Sequence, residues 1–152
     1  MTRQMTVLAA AGGSLALLLG AFAFQYFGGL APCTLCLWQR WPHAAAVLVG
    51  LLALGIGGRV LPGLGALAAL TTAGIGGYHT GVERGWWPGP TTCTSGAIDG
   101  IDPAALLDQI LAAPLVRCDE VAWAMLGLSM ASWNAVASVL LAILWVMAMR
   151  RD

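Results

Sequence analysis

The sequence predicts an all-α integral membrane protein, a four-helix bundle with one long, more polar loop between its third and fourth spans. Composition is the first reason: of 152 residues, 59% are hydrophobic and 9% charged, with a mean hydropathy of +0.82. A soluble domain carries roughly a quarter charged residues, so this chain has too little polar surface to face water on all sides. The second reason is length: four segments reach or approach the roughly 20 apolar residues that a bilayer core demands. The third is an interruption of about 50 residues after the third segment, too polar to cross. Net charge is zero and the seven basic residues are scattered, so no basic stripe exists and nucleic acid is set aside as a partner.

The first span is placed at residues 7–27. Arg3 ahead of an apolar run and the stretch Ala21-Phe22-Ala23 also suit a cleaved secretory signal. The run continues into Phe24, Tyr26 and Phe27, which suit an interfacial aromatic belt, and the segment is read as a retained span. The second and third spans are placed at 37–57 and 60–81. Gly65, Ala69, Ala73, Gly77 and Gly81 recur every four residues on the third, as Gly12, Ala16 and Gly20 do on the first, and such small-residue ridges let helices approach closely in lipid. In the loop at 82–132, Asp102-Pro103 supplies a helix cap and a first-turn proline, and Pro114 bounds the far end. Leu106, Leu107, Ile110 and Leu111 gather on one face there, which predicts a short amphipathic helix lying on the membrane surface; a small soluble lid is the alternative. Trp123 and residues 126–130 read as a second interfacial stretch, and the fourth span is placed at 133–149. No internal repeat divides the chain, so 1–152 is read as a single membrane domain.

Four spans put the first and third loops on one side and the second loop and both termini on the other. All four cysteines fall on the first of these sides, Cys33 and Cys36 where the first loop meets the second helix, Cys93 and Cys118 in the long loop. Arg3, Arg59, Arg150 and Arg151 lie on the terminal side, against Arg40, Arg84 and Arg117 opposite. The positive-inside rule then places the termini in the cytoplasm. The cysteines face an oxidising compartment, where disulfides persist.

Cys33-Thr34-Leu35-Cys36 is a Cys-x-x-Cys motif at the start of an apolar helix, where unpaired N–H groups and the helix dipole favour a thiolate. Structural zinc usually pairs two short knuckles, whereas 24 residues separate Cys93 from Cys118, so no metal is expected. A disulfide-bearing loop able to reach a second thiol pair suits exchange, with purely structural disulfides as the alternative. Arg40 stands one helical turn beyond Cys36, and a charge at the edge of the hydrocarbon is a site candidate as well as a possible interfacial anchor. Its guanidinium suits a thiolate at Cys36 and the oxygen of a lipid-soluble quinone that gains charge on reduction. His79, with Glu83 one turn further, ends the third span on the same side; it suits proton relay to a quinone, or simply an interfacial polar position.

Several stretches together resemble the DsbB family of quinone-dependent thiol oxidases over nearly the whole chain. They are Pro32-Cys33-Thr34-Leu35-Cys36-Leu37-Trp38-Gln39-Arg40; Tyr78-His79-Thr80-Gly81-Val82-Glu83, leading through Trp86-Trp87-Pro88-Gly89-Pro90 to Cys93; and Cys118-Asp119-Glu120, followed by Trp123 and Leu126-Gly127-Leu128-Ser129-Met130. The resemblance implies a protein of the bacterial inner membrane that reoxidises a periplasmic DsbA-like dithiol protein. It implies a Cys93–Cys118 disulfide attacked through Cys93, transfer from Cys118 to Cys33, and delivery from Cys36 to ubiquinone or menaquinone beside Arg40 and His79. Two alternatives are a structural or transport bundle whose cysteines only staple its loops, and a thiol protein of the vitamin K epoxide reductase type; the order and spacing of the cysteines favour the DsbB resemblance.

Overall fold

The computed structural model describes residues 2–90 and 117–151. Cys93 and the amphipathic helix predicted at 102–114 lie outside the described residues. Among the described residues long apolar runs make four helices, three of them started by a capping side chain. α1 (Arg3–Tyr26) starts at Thr2, whose hydroxyl accepts from the Met5 N–H, and α2 (Thr34–Gly55) starts at Cys33, whose sulfur accepts from the Cys36 N–H. α3 (Val60–Glu83) carries Pro62 in its first turn, where the missing N–H has no helical partner to lose. α4 (Met130–Met149) starts at Ser129, which accepts from the Ser132 N–H. A two-residue hairpin, β1 (Ala124–Met125) with β2 (Leu128–Ser129), leads directly into α4.

The bundle is a ring in which α1 packs on α2, α2 on α3, α3 on α4 and α4 on α1, with little contact between α1 and α3. Helices α1, α3 and α4 are each long and apolar enough to cross a membrane, at mean hydropathies of 2.1, 1.4 and 1.8. The 22-residue α2 is less apolar, because its first half holds Gln39, Arg40 and His43; Gln39 and His43 turn into the bundle. At one end Arg3 donates to the carbonyls of Ala53, Ile56 and Gly58, which satisfies acceptors left over at the end of α2. At the other end Thr80, near the close of α3, meets Ser132 in the first turn of α4 at 3.0 Å. Successive helices therefore run in opposite directions, and the start of α2 lies beside the end of α3 and the start of α4.

Packing at the Arg3 end centres on Trp145, which is wholly buried among Val7, Ala53, Ala66 and Ala69. Gly65 makes room for it: a Cβ there would stand 2.5 Å from the indole Cδ2. Gly50 makes the same allowance for Ala11. The predicted ridges are corrected by this packing. On α3 the buried positions are Pro62, Gly65, Ala66, Ala69, Thr72, Gly76, His79, Gly81 and Val82, so Gly65, Ala69 and Gly81 of the predicted ridge are buried, Gly81 against Trp87, while Gly77 faces outward. A strict repeat of four overshoots a 3.6-residue turn by about 40° each step, so the ridge rotates off the contact face. On α1, Gly12 meets nothing and the contact runs through Thr6, Val7, Ala10 and Ser14.

The stretch read as interfacial at 126–130 is the hairpin turn and the start of α4. Leu126 and Gly127 have φ of 54° and 79°, both positive as a two-residue type I′ turn requires. The Trp133 indole donates to the Met125 carbonyl and fixes the hairpin over the bundle.

Candidate functional site

The site is built at the end where α2 starts. Cys33 and Cys36 are both free, with their sulfurs 2.8 Å apart, so one S–H donates to the other sulfur. The Cys33 sulfur also accepts the Cys36 N–H at 3.2 Å, one of the donors a helix start leaves unused. The hydrogen bond with Cys36, and then burial, hold the Cys33 thiol above its usual range. The charges near enough to act on Cys36 are Arg40 and Glu83. Cys118 is disulfide-bonded, 1% exposed, and packed with Cys33, Leu35 and Val82 in one buried cluster.

A chain of buried polar side chains leads from the thiols into the bundle, and two backbone carbonyls fix its polarity. Gln39 Nε2 donates to the Leu35 carbonyl, so the same amide nitrogen donates to His79 Nδ1 at 3.0 Å. The neutral His79 ring therefore carries its proton on Nε2, which points at Cys33 Sγ 3.6 Å away, with Glu83 Oε1 at 3.9 Å. Gln39 Oε1 accepts from Asn134 Nδ2 at 2.7 Å. Thr72 gives its hydroxyl proton to the Gln39 carbonyl, so its oxygen is left to accept from Asn134 as well. Asn134 Oδ1 then faces His43 Nε2 at 2.9 Å as an acceptor. Glu83 is held in turn by the Ser129 hydroxyl, which donates to its other oxygen. Cys33, Cys36 and His79 bring their ligand atoms within 4.8 Å of one another, but this polarity gives His79 Nε2 a proton where a metal would need a lone pair.

Beside the thiols lies a cavity of about 340 Å³ between α1, α2 and α4, roofed by the hairpin. Its walls are mostly apolar, with Leu17, Ala21 and Phe24 from α1, and Trp123 and Trp133 near the hairpin. Cys33, Cys36, Arg40 and His79 all line it. Arg40 donates to Gln25 Oε1 at 2.6 Å, and its guanidinium sits 4.9 Å from the centre of the Phe22 ring. Its Nε–H is buried and has no hydrogen-bond partner among the described residues. A cation in a mostly apolar wall suits a ligand that brings an acceptor. A lipid-soluble quinone, an apolar ring with carbonyl oxygens, fits these residues.

Over residues 3–148 the chain matches the family model described as "Disulfide bond formation protein DsbB". The chain belongs to the DsbB family. As such it is a membrane protein of disulfide bond formation, as the DsbB resemblance implied. Among curated relatives, Disulfide bond formation protein B of Azoarcus sp. (strain BH72) is 31% identical over 90% of this chain and 87% of its own. The protein of the same name from Pasteurella multocida (strain Pm70) is 33% identical over 91% and 84%, and that from Methylococcus capsulatus is 35% identical over 78% and 76%. No solved structure matches the chain.

Of the site residues read from the sequence of this DsbB-family chain, the structure brings Cys33, Cys36, Arg40 and His79 to one cavity and places Cys118 against Cys33. Sequence reasoning missed His43, Asn134 and Thr72, and passed over Gln39 and Gln25. A signal existed for His43 and Asn134: polar side chains within apolar helices are costly in lipid unless they turn inward to partners. Met125 and Met130 also prove to be part of the cavity wall.

Proposed function

We propose that this protein reoxidises a reduced, DsbA-like periplasmic dithiol protein and passes the electrons to ubiquinone or menaquinone. In this reading a partner thiolate attacks the Cys93–Cys118 disulfide at Cys93, and Cys118 leaves as a thiolate. Cys118 attacks Cys33 of an oxidised Cys33–Cys36 pair, which forms a Cys118–Cys33 bond and frees Cys36. The partner's second thiol resolves its bond to Cys93, Cys93 recaptures Cys118, and the first pair is left as a dithiol. That dithiol is the free, closely spaced pair described above. The quinone supplies the oxidant, taking two electrons and two protons as Cys33 and Cys36 close to a disulfide. Arg40 holds charge beside Cys36, and His79 donates to Cys33 from Nε2, so each sulfur has a partner when anionic.

The observation that carries this reading is the cavity whose wall combines a free dithiol with Arg40. The cysteine-bearing end then faces the periplasm across the bacterial inner membrane, with both termini cytoplasmic, in keeping with Arg3, Arg59, Arg150 and Arg151 at the opposite end. Purified protein given a reduced dithiol protein should reduce a soluble ubiquinone analogue, and Cys33→Ser or Cys36→Ser should abolish turnover. Turnover untouched by either change rejects the relay. Arg40→Ala should raise the apparent KM for the quinone by about tenfold or more, the range for a hydrogen bond to a charged group; an unchanged KM makes Arg40 an anchor only.

A further inference from the structure

Glu83 closes α3 and takes no part in the relay above, yet it is built into the site. Its side chain keeps 6% of its surface accessible and lines the cavity together with Cys33, Cys36, Arg40 and His79. One carboxyl oxygen stands 3.9 Å from His79 Nε2, and the other meets the Ser129 hydroxyl. Behind Ser129 the contacts continue. Ser129 Oγ lies 3.1 Å from Ser132 Oγ, Ser132 Oγ lies 3.0 Å from Thr80 Oγ1, and Thr80 Oγ1 lies 2.9 Å from the Gly76 carbonyl oxygen.

Three hydroxyls supply three hydrogens for these four contacts. With Glu83 ionised, every hydroxyl points toward it, Thr80 to Ser132, Ser132 to Ser129 and Ser129 to the carboxylate, and the Gly76 contact goes without. With Glu83 protonated, its own O–H is the fourth hydrogen. Glu83 then donates to Ser129, Ser129 to Ser132, Ser132 to Thr80 and Thr80 to the Gly76 carbonyl, so the 2.9 Å contact at Gly76 is kept as well. Turning three O–H bonds therefore lets a partly buried carboxyl gain or lose a proton without stranding a hydroxyl. Its charge is also tied to the thiols, since Glu83 and Arg40 both act on Cys36. A Cys36 thiolate and a Glu83 carboxylate together would set two anions against Arg40 in a mostly apolar wall, a cost that a proton on Glu83 removes. The other groups facing Glu83 are His79 and Arg84 from α3, Cys33 beyond His79, and Arg117 and Glu120 in the cavity wall, with Arg117 already paired to Asp119. The hairpin and α4 bring hydroxyls to it and contain no titratable side chain.

We propose that Glu83 holds the second proton of the reduced Cys33–Cys36 pair, so that a thiolate on Cys36 goes with a neutral carboxyl on Glu83, and that Glu83 gives up this proton when the pair is oxidised. The destination of the proton rests on the quinone reading above. Cys33 S–H, the Cys36 thiolate and the Glu83 carboxyl together carry two protons. Closing the disulfide sends two electrons to the quinone, with one proton from Cys33 and one from Glu83, and leaves a hydroquinone and a carboxylate. The partner's dithiol then loses two electrons and two protons as it restores the pair; one proton returns to Cys33 and the other to Glu83. In each state a single anion, first Cys36 and then Glu83, balances Arg40.

The test is the infrared difference spectrum between the reduced and oxidised full-length protein in detergent, with no quinone added. Cys93→Ser and Cys118→Ser leave Cys33–Cys36 as the one pair that changes. A protonated carboxyl has a C=O stretch that a carboxylate lacks. The expected result is such a band in the reduced protein, shifted in heavy water and lost on oxidation. Glu83→Gln should remove it and Glu83→Asp should return it at a displaced frequency. No band lost on oxidation, or a lost band that survives Glu83→Gln, overturns the inference. Turnover of the protein with all four cysteines, given a reduced dithiol protein and a soluble ubiquinone analogue, tests where the proton goes. Glu83→Gln should lower kcat by about 100-fold, the low end for a positioned proton donor, with KM for the quinone little changed and kcat partly restored by Glu83→Asp. An unchanged kcat overturns Glu83 as the donor to the quinone. A redox-linked Glu83 band in a protein that reduces no quinone supports the proton store and rejects the quinone reading alone.

Discussion

At the residue scale, the site depends on which nitrogen of each imidazole holds its proton, and that is set by neighbours that never touch sulfur. Gln39 is the hinge of this arrangement, donating to Leu35 and His79 while accepting from Asn134. Gln39→Leu is expected to slow turnover about tenfold or more, because it strands a buried donor on Asn134 and frees His79 to turn its lone pair toward Cys33. Turnover and pH profile both unchanged would show that His79 needs no such holding. Leu126 offers a prediction of the opposite sign. It is 85% exposed and sits at a φ of 54° that disfavours a side chain such as leucine. Leu126→Asn, the residue a type I′ turn prefers before Gly, should stabilise the protein by about 1 kcal/mol, read as a higher thermal midpoint in detergent. A lower midpoint would mean that the leucine side chain contributes contacts worth more than the turn strain.

At the element scale, the helices were legible because each is a long apolar run, and three of the four starts moved earlier because their caps lie outside those runs. α1 begins at Arg3 behind Thr2, and α4 begins at Met130 behind Ser129, both ahead of their hydrophobic windows. The hairpin was not legible, since two residues per strand carry no periodicity and Leu-Gly is a weak turn signal. The contact faces were legible in kind but not in register: small residues do line α3, yet Gly76 and not Gly77 meets Ala135. The thiol pair and Arg40 were visible from motif spacing, whereas the Gln39–Asn134–His43 chain joins residues 95 positions apart that only the bundle brings together. Gly65→Ala tests the packing directly. Its added methyl runs into Trp145, and overpacking of this kind costs about 1–3 kcal/mol. The expected result is a lower thermal midpoint with thiol chemistry retained at low temperature; an unchanged midpoint would show that Trp145 can move aside.

At the scale of the whole molecule, the ring of four antiparallel helices separates two tasks. The Arg3 end is a dry core around Trp145, and the opposite end holds the thiols, the polar chain and the cavity. A membrane crossing between them gives an address for each end. Gly57→Cys, placed in a Cys33→Ser, Cys36→Ser background and in the α2–α3 connection where a side chain meets nothing, should be labelled by a membrane-impermeant maleimide only after the inner membrane is opened. Labelling in intact spheroplasts would reverse the orientation. The central claim is that the Cys33–Cys36 dithiol delivers its electrons into the adjoining cavity. The most direct measurement reduces the purified Cys93→Ser, Cys118→Ser protein, so that no second pair can take over the new disulfide, removes the reductant without air, adds one equivalent of a soluble ubiquinone analogue with no partner protein, and traps the remaining thiols for mass spectrometry. The expected result is one hydroquinone formed per chain together with a new Cys33–Cys36 disulfide. Hydroquinone formed while Cys33 and Cys36 both remain trapped as free thiols would contradict it.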